Sequence, residues 1–273
     1  MPAISHRTVQ LTPARAAELL KKNRTNRKLR AAKVEQLAED MKAGRWDLNG
    51  EAIVVDSQGF LIEGQHRLTA CILADRSFEV ILVEGVAPRA QATIDSGAPR
   101  NDADRFSFLG VERSFTVAAA VRMICTVVNK QQRRKSFYHY LDIYKRHRRS
   151  IEWALSEIPT GNFAALGPVF GALVYAYPKA PEKVAAFTRQ LVEGAGYDRG
   201  SPPWMLREYF IHNARVNSKR DRAAAFIKTC RCLQAFIEGE RPTKLYATEE
   251  AVAYFAPDQE RKPEVRNGNG VAA

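Results

Sequence analysis

The stretch of sequence that decides the fold is residues 52–74, which read AIVVD-SQG-FLI-EGQHR-LTACILA. Two short apolar runs flank a Ser-Gln-Gly triplet, a pattern typical of a β-hairpin. From Gln65 onward the apolar residues recur at helical spacing and predict a helix with one buried face. A β-branched run at 78–84 predicts a third strand. Strand, strand, helix and strand in close succession indicate a small α/β unit.

The remainder of the chain is predicted to be helical. Residues 12–44 show helical spacing on both sides of a polar, basic link, and the β signal disappears after residue 112. The predicted fold class is therefore α+β, with a small α/β domain followed by an all-α helical domain. The predicted domains are 1–112, 113–256 and a disordered tail, 257–273. The predicted helices of the second domain are 117–128, 137–155, 163–177, 181–192, 203–216 and 220–237.

Composition indicates an ordinary globular protein that can hold two cores. The chain has 273 residues, of which 45% are hydrophobic and 26% charged. It has no uninterrupted apolar stretch suited to a bilayer and no apolar segment typical of a secretory signal. We therefore expect a cytoplasmic protein with no membrane association. The four cysteines lack metal-site spacing and are predicted to be buried free thiols.

The net charge of +12 predicts a polyanionic partner, because clustered Lys and Arg release counterions from a phosphate backbone. Residues 1–112 hold 16 Lys and Arg against 15 Asp and Glu, a net charge of +1. Residues 113–273 hold 26 against 15, a net charge of +11. The excess of positive charge therefore belongs to the predicted helical domain.

The pentapeptide Glu63–Arg67, called the EGQHR motif below, lies where the second predicted strand meets a helix. A glycine there lets a phosphate approach the backbone, and the first helix amides supply an anion site. Arg67 could add a charge-assisted fork to a phosphate oxygen, and Glu63 or Asp56 could hold a divalent metal or accept a proton. In the alternative interpretation this is a plain helix start, with Arg67 paired to Glu63 and His66 exposed.

The segment Ile62–Ala70 resembles the signature of the ParB/sulfiredoxin superfamily, D/E-G-x-x-R-x-x-A. The order of predicted elements fits that family's domain over residues 20–110. The chain is most similar to DGQHR-type, phage- or plasmid-borne ParB-like proteins, whose Ile-Asp-Thr-Gly-like segment corresponds to residues 94–97. The resemblance implies a sulfiredoxin-like fold, binding of a nucleoside di- or triphosphate with Mg²⁺, and association with DNA.

The motif departs from two branches of that superfamily. Sulfiredoxin has its catalytic cysteine between the glycine and the histidine, where this chain has Gln65, so sulfinic-acid reduction is not expected. Chromosomal ParB reads G-E-R-R, so Gln65 and His66 replace a glutamate and an arginine, and Arg67 is retained. The resemblance therefore favours nucleotide binding over a CTP-hydrolysing clamp.

The candidate site residues follow from the motif and from that resemblance. The catalytic candidates are Glu63, Asp56 and His66, and Glu63 is also the candidate metal ligand. The candidates for phosphate or nucleotide binding are Gly64, Gln65, His66, Arg67, Arg24, Arg27, Asp95 and Ser96. Asp95 and Ser96 could instead form an Asx-type turn before a helix. Arg24 and Arg27 are chosen from a basic cluster that comprises Lys21, Lys22, Arg24, Arg27, Lys28, Arg30 and Lys33.

Residues 130–149 carry eight basic side chains and one acid, Asp142, with aromatic residues between them. This mixture is typical of nucleic-acid surfaces, where cations contact phosphates and rings stack on bases. A solvated helix face with aromatic residues in the core is the alternative. The nucleic-acid candidates are Arg133, Arg134, Lys135, Lys145, Arg146, Arg148 and Arg149.

Three functional hypotheses result. The first is a DNA-associated, nucleotide-binding protein of ParB-like type, with DNA and a nucleotide as partners and a possible homodimer. The second is an enzyme, either a nucleotide-dependent phosphotransferase or a nuclease or DNA-modification enzyme, that uses Glu63 or Asp56 as base or metal ligand. The third is an interaction protein without ligand binding.

Overall fold

The chain forms two compact units in a computed structural model, which describes residues 3–24, 26–94, 100–131, 135–194, 198–212 and 218–257. The first unit comprises residues 1–100 together with 133–139. The second comprises residues 101–132 and 140–273.

The first unit is built on a four-stranded mixed sheet in the order β1-β4-β2-β3. Its strands are β1 Ser5–Leu11, β2 Ala52–Asp56, β3 Leu61–Glu63 and β4 Phe78–Val86. The hairpin β2–β3 is antiparallel, β4 runs parallel to β2, and β1 pairs antiparallel with β4. The predicted hairpin and third strand are confirmed, whereas β1 was not predicted.

Three helices complete the first unit: α1 Pro13–Lys21, α2 Ala31–Lys42 and α3 Gln65–Ala74. Their buried side chains form one core with the inward residues of the sheet, including Ile53, Leu61 and Leu68. Trp46 packs against this core with its ring edge-on to Phe78 and donates a hydrogen bond to a β4 carbonyl. The core thus fixes the β3–α3 junction, where the EGQHR motif lies.

The second unit is helical, and among the described residues no strand follows Val86. The predicted α+β class, with a helical C-terminal part, is confirmed. The helix predicted over 137–155 is wrong as a single element, because the backbone of His147 leaves helical geometry and divides it in two. The helices are α4 Asp102–Phe108, α5 Ser114–Val127, α6 Phe137–Arg146, α7 Arg148–Glu157, α8 Gly167–Ala176, α9 Pro181–Glu193, α10 Pro202–His212, α11 Lys219–Glu238 and α12 Glu249–Ala253.

Two predictions from composition concern the state of the cysteines and the presence of a membrane-spanning helix. All four cysteines are free and buried, as predicted, and burial raises the pKa of the Cys71 thiol to about 11. None of the described helices combines the length and the apolar character that crossing a bilayer requires. The predicted tail lies outside the described residues from 258 onward.

Candidate phosphate-binding site

Gly64 makes the sharp turn from β3 into α3. Its φ of 106° lies in the left-handed region, where a side chain is strained. A Cβ at this position would overlap the Cδ1 atom of Ile53 and would lie 3.3 Å from the Cα atom of the same residue. A glycine is therefore required both for the turn and for the close approach of the junction to β2.

Helix α3 begins without a side-chain cap. The first backbone hydrogen bond at its start runs from the amide of Leu68 to the carbonyl of Gly64, at 3.0 Å. The amides of Gln65, His66 and Arg67 precede that bond and lie at the positive end of the helix dipole. This helix start has the polarity that attracts an anion.

His66 lies among four cations at this helix start. Burial lowers its pKa, and the positive charges of Arg27, Arg30, Lys33 and Arg67 lower it further. Its Nε2 atom accepts a hydrogen bond from the backbone N–H of Arg30 at 3.1 Å, which also favours the neutral ring. The side chain of His66 is half-buried rather than fully exposed, and positive charges of neighbouring residues act on its ring.

Gln65 is buried, at 4% exposure, and uses both ends of its carboxamide. Its Oε1 atom accepts a hydrogen bond from Asn23 at 3.1 Å, and its Nε2 atom donates one to the carbonyl of Arg27 at 2.5 Å. The partners both lie in the basic loop, residues 22–30, in which only Thr25 is outside the described residues. The side chain of Gln65 therefore binds this loop, and only its backbone amide is available at the helix start.

Arg67 is buried, at 7% exposure, and points into the first unit. Its Nη2 atom donates hydrogen bonds to the carbonyl of Ala52 at 3.0 Å and to Glu63 at 3.2 Å. Its Nη1 atom lies 3.4 Å from a carboxylate oxygen of Glu51. The contact with Glu63 is the one given by the alternative interpretation, and it joins α3 to the edges of β2 and β3.

The candidate carboxylates make structural contacts. Glu63 accepts from Arg67, and Oδ1 of buried Asp56 accepts from the backbone amides of Gln58 and Phe60 at 2.9 and 2.8 Å, which closes the β2–β3 turn. No cluster of three or more His, Cys, Asp or Glu side chains suited to a metal occurs in the part of the chain that the structure describes.

Of the other phosphate candidates, Arg27 lies at the start of α3 and Arg24 contacts an aromatic ring. The carbonyl of Arg27 is bound to Gln65, and its charge acts on His66, so this residue lies at the site. The guanidinium of Arg24 lies 3.6 Å above the ring of Phe60 and is engaged in a cation–π contact. Asp95 and Ser96 lie outside the described residues.

The nucleic-acid candidates have three environments. Lys145, Arg146 and Arg149 are exposed at the end of α6 and the start of α7. Arg148 pairs with Glu152 at 2.8 Å on the same exposed helix, and Lys135 lies 3.6 Å from Glu39 in the first unit. Arg133 and Arg134 lie outside the described residues.

The aromatic residues between these cations mainly make internal contacts. Tyr140 is buried, at 3% exposure, and the ring of Tyr144 packs against that of Phe106 with a distance of 5.4 Å between the ring centroids. Tyr138 donates a hydrogen bond to Asp47 at 2.8 Å. Tyr140 therefore fits the alternative of core aromatics, whereas Tyr138 and Tyr144 are half-buried, and the role of this region in nucleic-acid binding stays a prediction.

Sequence reasoning did not select Arg30 and Lys33, although both belong to the basic cluster that it identified. The available signal was their place in the sequence: Arg30 immediately precedes α2 and Lys33 lies in its first turn, next to the chosen Arg27. Asn23 and Asn26 were missed as well, because their partners are distant in sequence: Asn23 donates to Gln65, and Asn26 donates to the carbonyl of Leu61.

Comparisons with known protein families, with curated proteins and with solved structures found no match. The resemblance of the EGQHR motif to the ParB/sulfiredoxin superfamily stays a prediction, and the site is argued below from its own geometry.

Proposed function

We propose that the first unit binds the phosphate groups of a nucleoside di- or triphosphate at the start of α3. The observation that carries this proposal is that hydrogen bonds hold the basic loop at a helix start that has no side-chain cap: His66 accepts from the amide of Arg30, and the carbonyl of Arg27 accepts from Gln65. The positive charges of Arg27, Arg30 and Lys33 act on His66 and support the proposal. Helix amides and nearby guanidinium groups are the two kinds of donor that phosphates prefer.

Each residue of the EGQHR motif has a role in this proposal. Gly64 makes the left-handed turn that packs the start of α3 against Ile53, and the amides of Gln65 and His66 donate to a phosphate oxygen. Arg67 supports the junction from inside through Ala52 and Glu63, so it acts as a positioning residue and not as a ligand.

Binding is a better proposal than catalysis for this geometry. Glu63 and Asp56 each have a carboxylate oxygen engaged by neighbouring groups, which opposes the freedom that a general base or a metal ligand needs. Mg²⁺ would be held mainly by the nucleotide phosphates and water, which is its usual mode of binding with phosphate ligands. Glu63, the carboxylate of the motif, is the candidate protein ligand for such an ion.

We further propose that the second unit contacts DNA through Lys145, Arg146 and Arg149. These exposed cations suit the phosphate backbone, and the internal packing of Tyr140 and Tyr144 favours binding without base stacking. Free, buried cysteines support a cytoplasmic location. A homodimer stays a prediction.

Calorimetry with ATP, CTP and ADP in the presence of Mg²⁺ tests the nucleotide proposal. We expect the double variant Arg30→Gln, Lys33→Gln to bind the preferred nucleotide about 10-fold more weakly than the wild type, because two charge-assisted contacts are lost. The control Lys21→Gln, Lys42→Gln removes two exposed cations from α1 and α2 and should bind like the wild type. Equal weakening in both variants, or no binding by the wild type, would refute the proposal.

A further inference from the structure

A network of buried and half-buried amide side chains joins the basic loop to the EGQHR motif. Gln65 binds Asn23 and the carbonyl of Arg27. The Nδ2 atom of Asn26 donates to the carbonyl of Leu61 at 2.7 Å and to Asn23 Oδ1 at 2.8 Å. Gln91 approaches Asn26 Oδ1 at 3.4 Å. The network therefore connects the loop to β3, to α3 and to the 3-10 turn Pro88–Thr93.

The network fixes the backbone that carries the cations of the site. The loop is held at Asn23, at Asn26 and at the carbonyl of Arg27, and the amide of Arg30 is held by His66. Because these attachments are close together in sequence, they leave little freedom to the segment that leads into α2.

Breaking this network has a direct energetic consequence. Gln65 is almost fully buried, so a side chain there that cannot form hydrogen bonds leaves Asn23 and the Arg27 carbonyl without this partner. The loop can then recover its hydrogen bonds only by turning toward water. Such a movement would carry Arg27 and Arg30 away from the start of α3.

We propose that Gln65 and Asn26 are positioning residues that hold the basic loop against the start of α3, so that its cations meet the phosphates of a bound nucleotide. This inference rests on the proposed nucleotide site for its purpose. The positioning itself is a property of the free protein and can be measured without a ligand.

The ligand-free test uses His66 as a reporter, with its pKa measured by NMR of histidine-labelled protein and assigned with His66→Gln. We expect Gln65→Met, which preserves length but forms no strong hydrogen bonds, to raise the pKa of His66 toward its ordinary value. The cause would be the departure of Arg27 and Arg30 from the ring. Gln58→Met, in the exposed β2–β3 turn, should leave this pKa unchanged.

Asn26→Ala provides a second route, because it removes the hydrogen bonds from Asn26 to the Leu61 carbonyl and to Asn23 without altering α3. Should Gln65→Met fail to fold, the same rise in the pKa of His66 is expected in Asn26→Ala. An unchanged pKa in the folded variant or variants would overturn the positioning role, since a merely structural glutamine would alter stability but not the charges around His66.

The ligand arm separates this inference from the proposed function. We expect Gln65→Met to bind ATP with Mg²⁺ about 10-fold more weakly than Gln58→Met, because the cations no longer converge. If the wild type binds no nucleotide but the pKa of His66 rises in Gln65→Met, the proposed function fails and the positioning stands. If the wild type binds and Gln65→Met binds equally well with an unchanged pKa, the positioning fails and the site stands.

Discussion

The start of α3 and the junction of α6 with α7 are both rich in cations, but they differ in how the backbone that carries the cations is held. At α3, side-chain amides attach the loop that carries Arg27 and leads into Arg30 and Lys33. At the α6–α7 junction, Lys145, Arg146 and Arg149 extend from an exposed helix surface. The difference is the reason for proposing a small-anion site in the first region and a polyanion surface in the second.

Net charge alone would have ranked the two regions in the opposite order for anion binding. Residues 1–112 carry +1 and residues 113–273 carry +11. A net charge counts side chains without regard to their direction, whereas an anion site depends on several donors that converge. The basic loop provides that convergence within an almost neutral part of the chain.

The largest loss of stability is expected for a substitution at Gly64, in the turn that precedes α3. We expect Gly64→Ala to lower the free energy of unfolding of the first unit by about 3 to 4 kcal/mol, because a left-handed φ and an overlap with Ile53 both oppose the new methyl group. Gly59→Ala has a similar φ and open space around it, so it should cost about 1 kcal/mol. Urea unfolding that finds equal losses would contradict the close approach at Gly64.

A second test concerns the α6–α7 junction and uses the pH dependence that His147 gives to the stability of the protein. Burial, aided by the charge of Arg146, lowers the pKa of His147 from 6.5 to about 4. Between pH 6.5 and about 4, His147 is protonated in the unfolded chain but neutral in the folded one. The neutral, buried ring therefore contributes its whole stabilisation above pH 6.5, and this contribution is lost as the pH falls toward 4. The expected loss is about 3 kcal/mol.

Thermal unfolding of the wild type and of His147→Gln across pH 4 to 7 measures this effect. The variant should lose the part of the pH dependence that belongs to His147. Parallel curves for the two proteins would mean that this ring is solvated.

A third test compares two arginines, one in each region. Arg67→Met should lower the free energy of unfolding by about 2 to 3 kcal/mol, because it leaves the Ala52 carbonyl and Glu63 without their buried partner. Arg148→Met removes an exposed ion pair with Glu152 and should leave the free energy of unfolding almost unchanged. Denaturant titrations in which the two losses are similar would contradict the inward role of Arg67.

A fourth test separates the two proposed ligands. We expect the triple variant Lys145→Gln, Arg146→Gln, Arg149→Gln to bind duplex DNA about 10-fold more weakly, with a shallower dependence on salt, because fewer counterions are released. Its affinity for nucleotide should not change. Fluorescence anisotropy that finds unaltered DNA binding would remove these residues from the DNA surface.

Local pattern accounts for the parts of the fold that the sequence predicted. The hairpin and α3 follow from apolar spacing and turn residues within residues 52–74. Strand β1 was missed because it lies at the sheet edge, where most of its residues are exposed and need no apolar alternation.

The site was harder to predict because its contacts are distant in sequence. Nothing near Arg67 in the chain indicates that its guanidinium reaches the Ala52 carbonyl, and nothing near Gln65 reveals Asn23 as its partner. The motif marks the start of α3, and its use as a phosphate site stays a prediction. The direction of each side chain depends on how β2, the basic loop and α3 pack together.

The most direct test of the proposed phosphate site is the pKa of His66, measured by NMR in the free protein and with a saturating concentration of ATP and Mg²⁺. An anion at the start of α3 would offset the charges of Arg27, Arg30 and Lys33, which lower that pKa in the free protein. We expect the pKa of His66 to rise on binding, and to rise much less in Arg30→Gln, Lys33→Gln. A pKa that stays the same while ATP is bound would contradict a phosphate at this helix start.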